Sequence, residues 1–489
     1  MVFNSTTFLI FAGFFFPVYF LLQSKIRVFF VLCSSYFFYA WWDWRFLSLI
    51  CLSTTIDYFV GYKLGIIINA RYRKFLLLFS ILSNLSILAT FKYLGFFAES
   101  FEEFLLLFNI QPDWPTLNLI LPVGISFYTF QSLSYTIDIY RKRLNPERNI
   151  IYFASYVALF PQLVAGPIVR ASHLLPQLRH SVFFDYKKFF YGFELIVWGF
   201  FLKLVLADNI GMAIDLGHRF VYPQSFGAPE LTSAVFLFAF QIYGDFAGYS
   251  LIAIGLAKIM GLDLEPNFKR PYFSASFSEY WQRWHISLSS WLRDYIYYPL
   301  EVRGQRNIIL RKVMNGRPIT YANIFITMFL SGLWHGAAWT FIFWGLLHGM
   351  YLVFWDFFQV VSKKFSTRYN YKVILLLKKI FLVLIVFILT LFAYILFRSE
   401  SLNDALHIIK TILTWQQTSF SIEINRSVIV KSYTAIFVVL VVDMCCENKK
   451  IYNYFRKSFF LRVSGILISL WSIALFGNFS GGEFIYFQF

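Results

Sequence analysis

Runs of mostly apolar residues, many of them near twenty long, recur almost end to end along this chain, and that feature narrows its fold more than any other. A helix crossing a bilayer needs roughly 20 such residues. Candidate runs lie near 7–22, 27–41, 46–68, 75–98, 119–138, 150–166, 187–206, 232–258, 338–358, 374–397, 430–446 and 459–477. In hydrocarbon every backbone N–H and C=O must be paired inside the protein, so an open sheet edge is excluded and such runs form helices. The expectation is an all-α, polytopic integral membrane protein with about 11 or 12 transmembrane or re-entrant helices.

Composition agrees. The 489 residues are 58% hydrophobic and 22% aromatic, with only 14% charged. A soluble domain carries about 25% charged residues, so this chain has too little charge to cover a water-facing surface. Its 63 Phe and 31 Tyr suit rings set among acyl chains and at the headgroups. The net charge of +17 sits in short loops between apolar runs. That placement fits the positive-inside rule and contact with membrane lipid, and excludes nucleic acid as the expected partner. Cys33, Cys51, Cys445 and Cys446 lie in or beside apolar stretches without metal-ligand spacing, so they read as small buried apolar residues and no metal is expected. The N-terminus has neither a basic leader nor a small-residue cleavage site, which reads as a retained first membrane segment. No internal repeat is evident, which gives an inverted-repeat transporter no support.

The loops set the orientation. Arg71, Arg73 and Lys74 form one basic cluster, and Arg141, Lys142, Arg143 and Arg148 another, with the acidic loop of Glu99, Glu102, Glu103 and Asp113 between them. Two runs separate the basic clusters, so both face the cytoplasm. Lys363, Lys364, Lys378 and Lys379 precede a later pair of runs, and Lys449, Lys450, Arg456 and Lys457 follow it. The 399–429 loop and the C-terminal tail are then expected outside. The stretch 259–320 is too polar to span and holds Lys269, Arg270, Arg283, Arg293 and five more basic residues among Trp and Tyr. It reads as a cytoplasmic, interfacial segment, suited either to a lipid surface or to an anionic, phosphate-bearing ligand.

Ionisable residues at membrane depth are functional candidates by default. Three histidines stand in apolar or aromatic settings: His285 in RWHISLS, His335 in GLWHGAAW and His348 in GLLHG. If 279–298 is one helix, Trp281, Leu288 and Leu292 share the His285 face, Ser289 lies one turn on, and Arg283 aligns with Asp294. Structural and functional roles are both open for His285. The run 321–334 starts on the cytoplasmic side and 338–358 must return there, so His335 is placed at the tip of a re-entrant hairpin over 321–358. Fourteen helical residues rise roughly 21 Å, short of the roughly 30 Å hydrocarbon core. Gly332, Gly336 and Ala337 leave room for close approach, and Trp334 and Trp339 are expected to wall the site. An imidazole kept neutral by such surroundings accepts a proton. On one continuous helix His348 would lie about 220° from His335, so it is placed behind the site. Gln241, Asp245 and Tyr249 fall four apart and form one polar stripe, either lining a tunnel or pairing with neighbouring helices. Glu194 and Lys203 lie in another run.

Four blocks now carry a resemblance: LPVGISFYTFQSLSYTIDIYR at 121–141, FPQLVAGPIVRASHLLPQL at 160–178, 245–300 through RWHISLS, and SGLWHGAAWTFIFWGLLHG at 331–349. With the ending FIYFQF, the chain resembles the membrane-bound O-acyltransferase family, in its bacterial branch that O-acetylates alginate and other cell-envelope polysaccharides. The resemblance implies one membrane domain over 1–489, a fold around a central tunnel, and a multi-pass protein of the inner (plasma) membrane. It implies that His335 is the catalytic histidine, and that His285 stands where relatives carry Asn, Asp or His.

The activity expected from this is transfer of an acyl group, acetyl in the first instance. The donor is a cytoplasmic thioester, acetyl-CoA or an acyl-carrier thioester, used as substrate with no bound cofactor. Arg283, Arg293, Lys269 and Arg270 are the candidates to hold its phosphates. His335 is the expected base, and His285 positions donor or acceptor. The resemblance further implies a relay to an extracytoplasmic, esterase-like acyltransferase partner, since a long polymer does not fit easily inside a helical bundle. The alternatives are D-alanyl transfer from a carrier protein toward teichoic acid, and a transporter or channel without chemistry.

Overall fold

The computed structural model describes residues 1–111, 119–180, 183–213, 216–306, 317–365, 372–417, 426–479 and 484–485. Its regular structure is helical. In chain order the main helices are α1 (Thr6–Leu21), α2 (Ser24–Asp43), α3 (Leu47–Ile66), α4 (Ala70–Leu106), α5 (Ile125–Tyr140), α6 (Ile150–Ala158), α7 (Ala171–Arg179), α8 (Tyr186–Ala213), α9 (Ala228–Ile259) and α10 (Phe277–Arg283). There follow α11 (Ile286–Leu292), α12 (Tyr298–Arg306), α13 (Arg317–His335), α14 (Trp339–Phe365), α15 (Lys372–Arg398), α16 (Leu402–Leu413), α17 (Arg426–Glu447), α18 (Lys449–Lys457) and α19 (Phe459–Phe476). Seven helices among the described residues are long and apolar enough to cross a membrane, within α4, α8, α9, α14, α15, α17 and α19. The chain is a multi-pass, all-α membrane protein.

The run 150–166 departs from expectation. Leu159 takes φ −52°, ψ 112°, which ends α6 after nine residues, and a four-residue turn with Pro161 near its start follows. Nine helical residues rise roughly 14 Å, too little to cross. The run is apolar because it is core: Phe153 through Val164 are buried almost without exception.

The chain forms two compact units, one of residues 1–196 and 249–265, the other of 197–248 and 266–489. In the first, a polar seam ties three helices. Ser80 Oγ and Asn84 Nδ2 of α4 donate to the Asp57 carboxylate of α3 at 2.6 and 2.9 Å, and Ser80 also meets Thr136 of α5 at 3.1 Å. A buried carboxylate is tolerable only when its lone pairs are met in this way. The second unit contains the family of buried histidines.

There, α13 and α14 form an antiparallel hairpin. A Cβ on Gly332 would overlap the Phe341 carbonyl oxygen, and one on Gly345 the Met328 carbonyl oxygen. Glycine at both positions is what lets the two backbones touch. Helix α13 begins at Arg317, four residues earlier than the apolar pattern suggested, so its 19 residues rise roughly 28 Å. The added residues 317–320 do not form an apolar run, and α13 is not among the seven helices long and apolar enough to cross. The expected helix over 279–298 is also broken: α10 stops at Arg283, Trp284 is extended, and His285 is left-handed at φ 42°, ψ 54° before α11 begins.

Candidate active site

Tertiary ties cause that break. Lys269 N donates to the Arg283 carbonyl at 2.9 Å and Ile286 N to the Asn267 carbonyl at 2.9 Å. The 263–276 loop thus takes over hydrogen bonds that a continuous helix would make itself. Left-handed backbone is unfavourable for a non-glycine residue and is held only where surroundings over-determine it. Neither Arg283–Asp294 alignment nor a shared His285–Leu288–Leu292 face survives. Arg283 instead bonds Glu279 at 2.7 Å, and Asp294 pairs with Arg293 at 2.9 Å.

The bend turns His285 into the protein, where it has no exposed surface. Its ring centroid lies 6.2 Å from that of His335, the last residue of α13, which is 3% exposed. Trp334 lies against both rings, at 5.6 and 5.1 Å, and Phe246 of α9 meets His285 edge-on at 4.6 Å. Trp344 and Phe397 close the far side of His335 at 4.9 and 5.3 Å. Trp339, expected to wall the site, is half-exposed. Trp344, five residues on, lies against His335 because α14 folds back along α13.

Asn267 fixes the state of His285. Its Oδ1 accepts from the Ser287 backbone N–H and hydroxyl at 3.2 and 3.0 Å, and lies 3.2 Å from His285 Nδ1. A backbone N–H can only donate, so the atom facing it is the carboxamide oxygen, and Nδ1 must carry the hydrogen. The neutral ring then offers Nε2 as acceptor. Burial pushes the His285 imidazole down to about 3, because desolvation disfavours its charged form. A neutral histidine with an accepting Nε2 suits holding or deprotonating a hydroxyl.

His348 lies close by, contrary to the continuous-helix argument, because a turn separates it from His335. It is fully buried on α14, with Trp344 at 4.8 Å between it and His335, and Trp281 at 5.0 Å. Asp245 forms an ion pair with Lys203 at 2.8 Å, and Lys203 also holds Asp208 at 2.8 Å. Gln241, one turn before it, sets its carboxamide against Gly211. Tyr249 stacks on Phe3 at 4.6 Å.

The candidate phosphate-binding cations are mostly engaged. Arg270 and Arg283 converge on Glu447 at 2.6 and 2.5 Å. Lys269 contributes its backbone to the bend. Among the described residues no group of three His, Cys, Asp or Glu side chains is arranged to hold a metal. In the tail, Ile485 N donates to Asp245 Oδ2 at 2.7 Å and Phe484 packs on Phe246 at 5.9 Å. Asn267, Phe246, Trp344 and Phe397 were not singled out from the sequence. For Asn267 the one available signal was its setting, a polar side chain in the proline-flanked loop LEPNFKRP.

Comparison with known proteins gives the family. The membrane-bound O-acyltransferase family model matches residues 142–397, which include all three histidines. The probable alginate O-acetylase of Pseudomonas aeruginosa is 37% identical over 87% of this chain and 77% of its own length. The peptidoglycan O-acetyltransferase of Helicobacter pylori is 30% identical over 100% of this chain and 98% of its own. The teichoic acid D-alanyltransferase of Bacillus subtilis is 29% identical over 52% and 64%. By the family model and by the relatives that cover most or all of it, this chain is an acyltransferase and belongs to the membrane-bound O-acyltransferase family.

Proposed function

We propose that this protein resides in the inner (plasma) membrane and passes an acetyl group from a cytoplasmic thioester across the bilayer for O-acetylation of a cell-envelope polysaccharide such as alginate or peptidoglycan. The observation that carries the chemistry is the meeting of His285 and His335, ring centroids 6.2 Å apart, buried among aromatic rings. There His335 takes the proton of an acceptor hydroxyl. The alkoxide attacks the thioester carbonyl carbon, a C–O bond forms, and the C–S bond breaks. The proton on His335 passes to the departing thiolate, so the products are an ester and a free thiol. His285 Nε2 accepts a hydrogen bond from the hydroxyl and aligns it.

Acetyl transfer is favoured over D-alanyl transfer by the extent of the likeness. The O-acetylating relatives match along most or all of the chain, whereas the D-alanyltransferase matches about half. Transfer is favoured over transport without chemistry by the O-acetyltransferase relatives, and Asp245, one of the groups a polar pathway would use, is paired with Lys203. A long polymer does not reach histidines buried among packed helices, so the reading includes an extracytoplasmic, esterase-like partner that receives the acetyl group.

The test is envelope ester content in cells with matched amounts of wild type, His335→Ala and His285→Ala. Loss of alkali-labile acetate in the His335 variant, with insertion intact, is expected. Wild-type ester levels in that variant would sink the reading. Assaying the purified polymers separately identifies the acceptor.

A further inference from the structure

Arg27, near the start of α2, is a buried charge without an opposite charge beside it. It is 8% exposed. Its Nε donates to the Tyr19 and Leu22 carbonyls at 3.0 and 3.1 Å, and its Nη2 to Leu22 at 2.7 Å. These bonds close the C-terminal end of α1, and the guanidinium lies 5.1 Å over the Tyr19 ring. Nη1 is left over. It is buried, and among the described residues nothing accepts from it and no carboxylate pairs with the group. Capping α1 needs only the nitrogens already used. A buried charge is ordinarily matched by an opposite one, and a buried N–H without an acceptor asks for an explanation.

Arg27 lines a small cavity of about 10 Å³ together with Gln177 and His180, enough for one water-sized group. Gln177 and His180 are also walls of a larger groove of about 690 Å³, which continues past Lys188 and the aromatic run Phe183, Phe184 and Tyr186. All of these residues belong to the first compact unit. The two carboxylates of the groove are engaged. Asp185 accepts from the backbone N–H groups of Lys187 and Lys188 at 2.8 and 3.3 Å, and Lys258 pairs with Asp263. Arg27, His180 and Lys188 therefore leave the site with an excess of donors. Its rim is apolar: Phe183 and Phe184 are 84% and 57% exposed, and Phe184 meets Phe20 of α1 edge-on at 5.3 Å. Two apolar runs, 27–41 and 46–68, separate the α1–α2 turn from the basic cluster at 71–74. The turn thus shares the cytoplasmic face with that cluster, at the leaflet that carries anionic lipid.

We propose that Arg27 and this groove bind an anionic glycerophospholipid of the cytoplasmic leaflet. One phosphate oxygen enters the small cavity and accepts from Arg27 Nη1. The rest of the headgroup meets His180 and Lys188, and the acyl chains leave across Phe184 and Phe20. A free phosphate would have no use for the aromatic rim. A choline headgroup would bring a cation to a site whose carboxylates are already taken. Bound in this way, the lipid ties the α1–α2 turn to α7 and to the start of α8.

The test uses the full-length protein in detergent and follows lipid binding by native mass spectrometry, with phosphatidylglycerol and phosphatidylcholine of identical acyl chains as probes. Wild type is expected to bind its first phosphatidylglycerol about tenfold tighter than phosphatidylcholine. Arg27→Gln is expected to lower phosphatidylglycerol affinity about tenfold, leave phosphatidylcholine unchanged and so erase the preference. Arg27→Lys, which keeps the charge without the planar fork, is expected to retain part of it. The double variant His180→Ala with Lys188→Ala acts from the rim, is expected to weaken phosphatidylglycerol about fivefold, and decides the matter if the Arg27 variants fold poorly. Unchanged phosphatidylglycerol affinity in well-folded Arg27→Gln, or in the rim variant, means that water serves Nη1 and overturns the proposal. So does a wild type without preference between the two lipids. Displacement of the bound lipid by inorganic phosphate or by coenzyme A would assign the groove to a soluble phosphate and overturn it as well.

Discussion

At the residue scale, the site depends on a side chain eighteen positions from the histidine it sets. Asn267 Oδ1 meets His285 Nδ1 and both hydrogens of Ser287, which fixes the ring's orientation and tautomer together. Asn267→Ala should therefore lower acetyl transfer about tenfold or more, the scale of a lost buried hydrogen bond. Combined with His285→Ala it should add little further, because residues acting as one unit are not additive. Ester release kinetics for the two single variants and the double give the answer; full additivity would mean that Asn267 acts elsewhere. The left-handed backbone of His285 separates two further variants. Asparagine tolerates that conformation and carries an accepting oxygen, whereas alanine does neither. His285→Asn is expected to fold like wild type and keep measurable activity. His285→Ala is expected to lose activity and about 1 kcal/mol of stability, read by thermal unfolding in detergent beside the ester assay.

At the element scale, the α13–α14 hairpin holds His335 at its turn, and its closeness rests on Gly332 and Gly345. A side chain at either must separate two backbones, since carbonyl oxygens and not flexible side chains stand in the way. Gly345→Val is therefore expected to cost several kcal/mol, beyond the roughly 1–3 kcal/mol of ordinary overpacking. Loss of the folded peak in size-exclusion chromatography would be its signature; a stable variant with wild-type transfer would contradict the packing. This hairpin was legible in the sequence, because small residues flank a histidine between two apolar runs of opposite direction. The break between α10 and α11 was not. Trp284–His285 contains no glycine or proline, and the hydrogen bonds that hold the bend come from Asn267 and Lys269 in a separate loop. A helical period persists in the sequence on both sides, so periodicity alone joins what tertiary bonding divides. Likewise, an angle computed along one helix has no meaning across a turn; His348 nonetheless lies behind the site, with Trp344 between it and His335. Another tie is carried by α17, whose last residue, Glu447, bonds Arg270 and Arg283. The group is partly shielded from water, with side-chain exposures of 15–23%, so Glu447→Gln is expected to lower stability by roughly 1–3 kcal/mol, read as a drop in melting temperature.

At the scale of the whole molecule, sidedness follows from counting crossings. The basic stretches at 71–74 and 141–148 are separated by α4 and α5, and those at 141–148 and 259–276 by α8 and α9. The second pair returns to the same side only because 150–166 does not cross. Had that apolar run been a span, the count would be odd and the basic 259–320 stretch would fall outside, against the positive-inside rule. The break at Leu159 thus removes a conflict that composition alone leaves standing. From the end of α14, α15 leads out, α17 returns, and α18 brings Lys449, Lys450, Arg456 and Lys457 back to the basic side. The expectation is testable by replacing the four native cysteines and labelling single-cysteine variants with a membrane-impermeant maleimide on intact spheroplasts. Asn109→Cys, beyond the end of α4, should react at once. Lys450→Cys and Lys142→Cys should react only after permeabilisation. Labelling of Lys142→Cys from outside, with Lys450→Cys still protected, would show an odd number of crossings between them, and the arrangement by which a cytoplasmic donor reaches His335 would have to be abandoned.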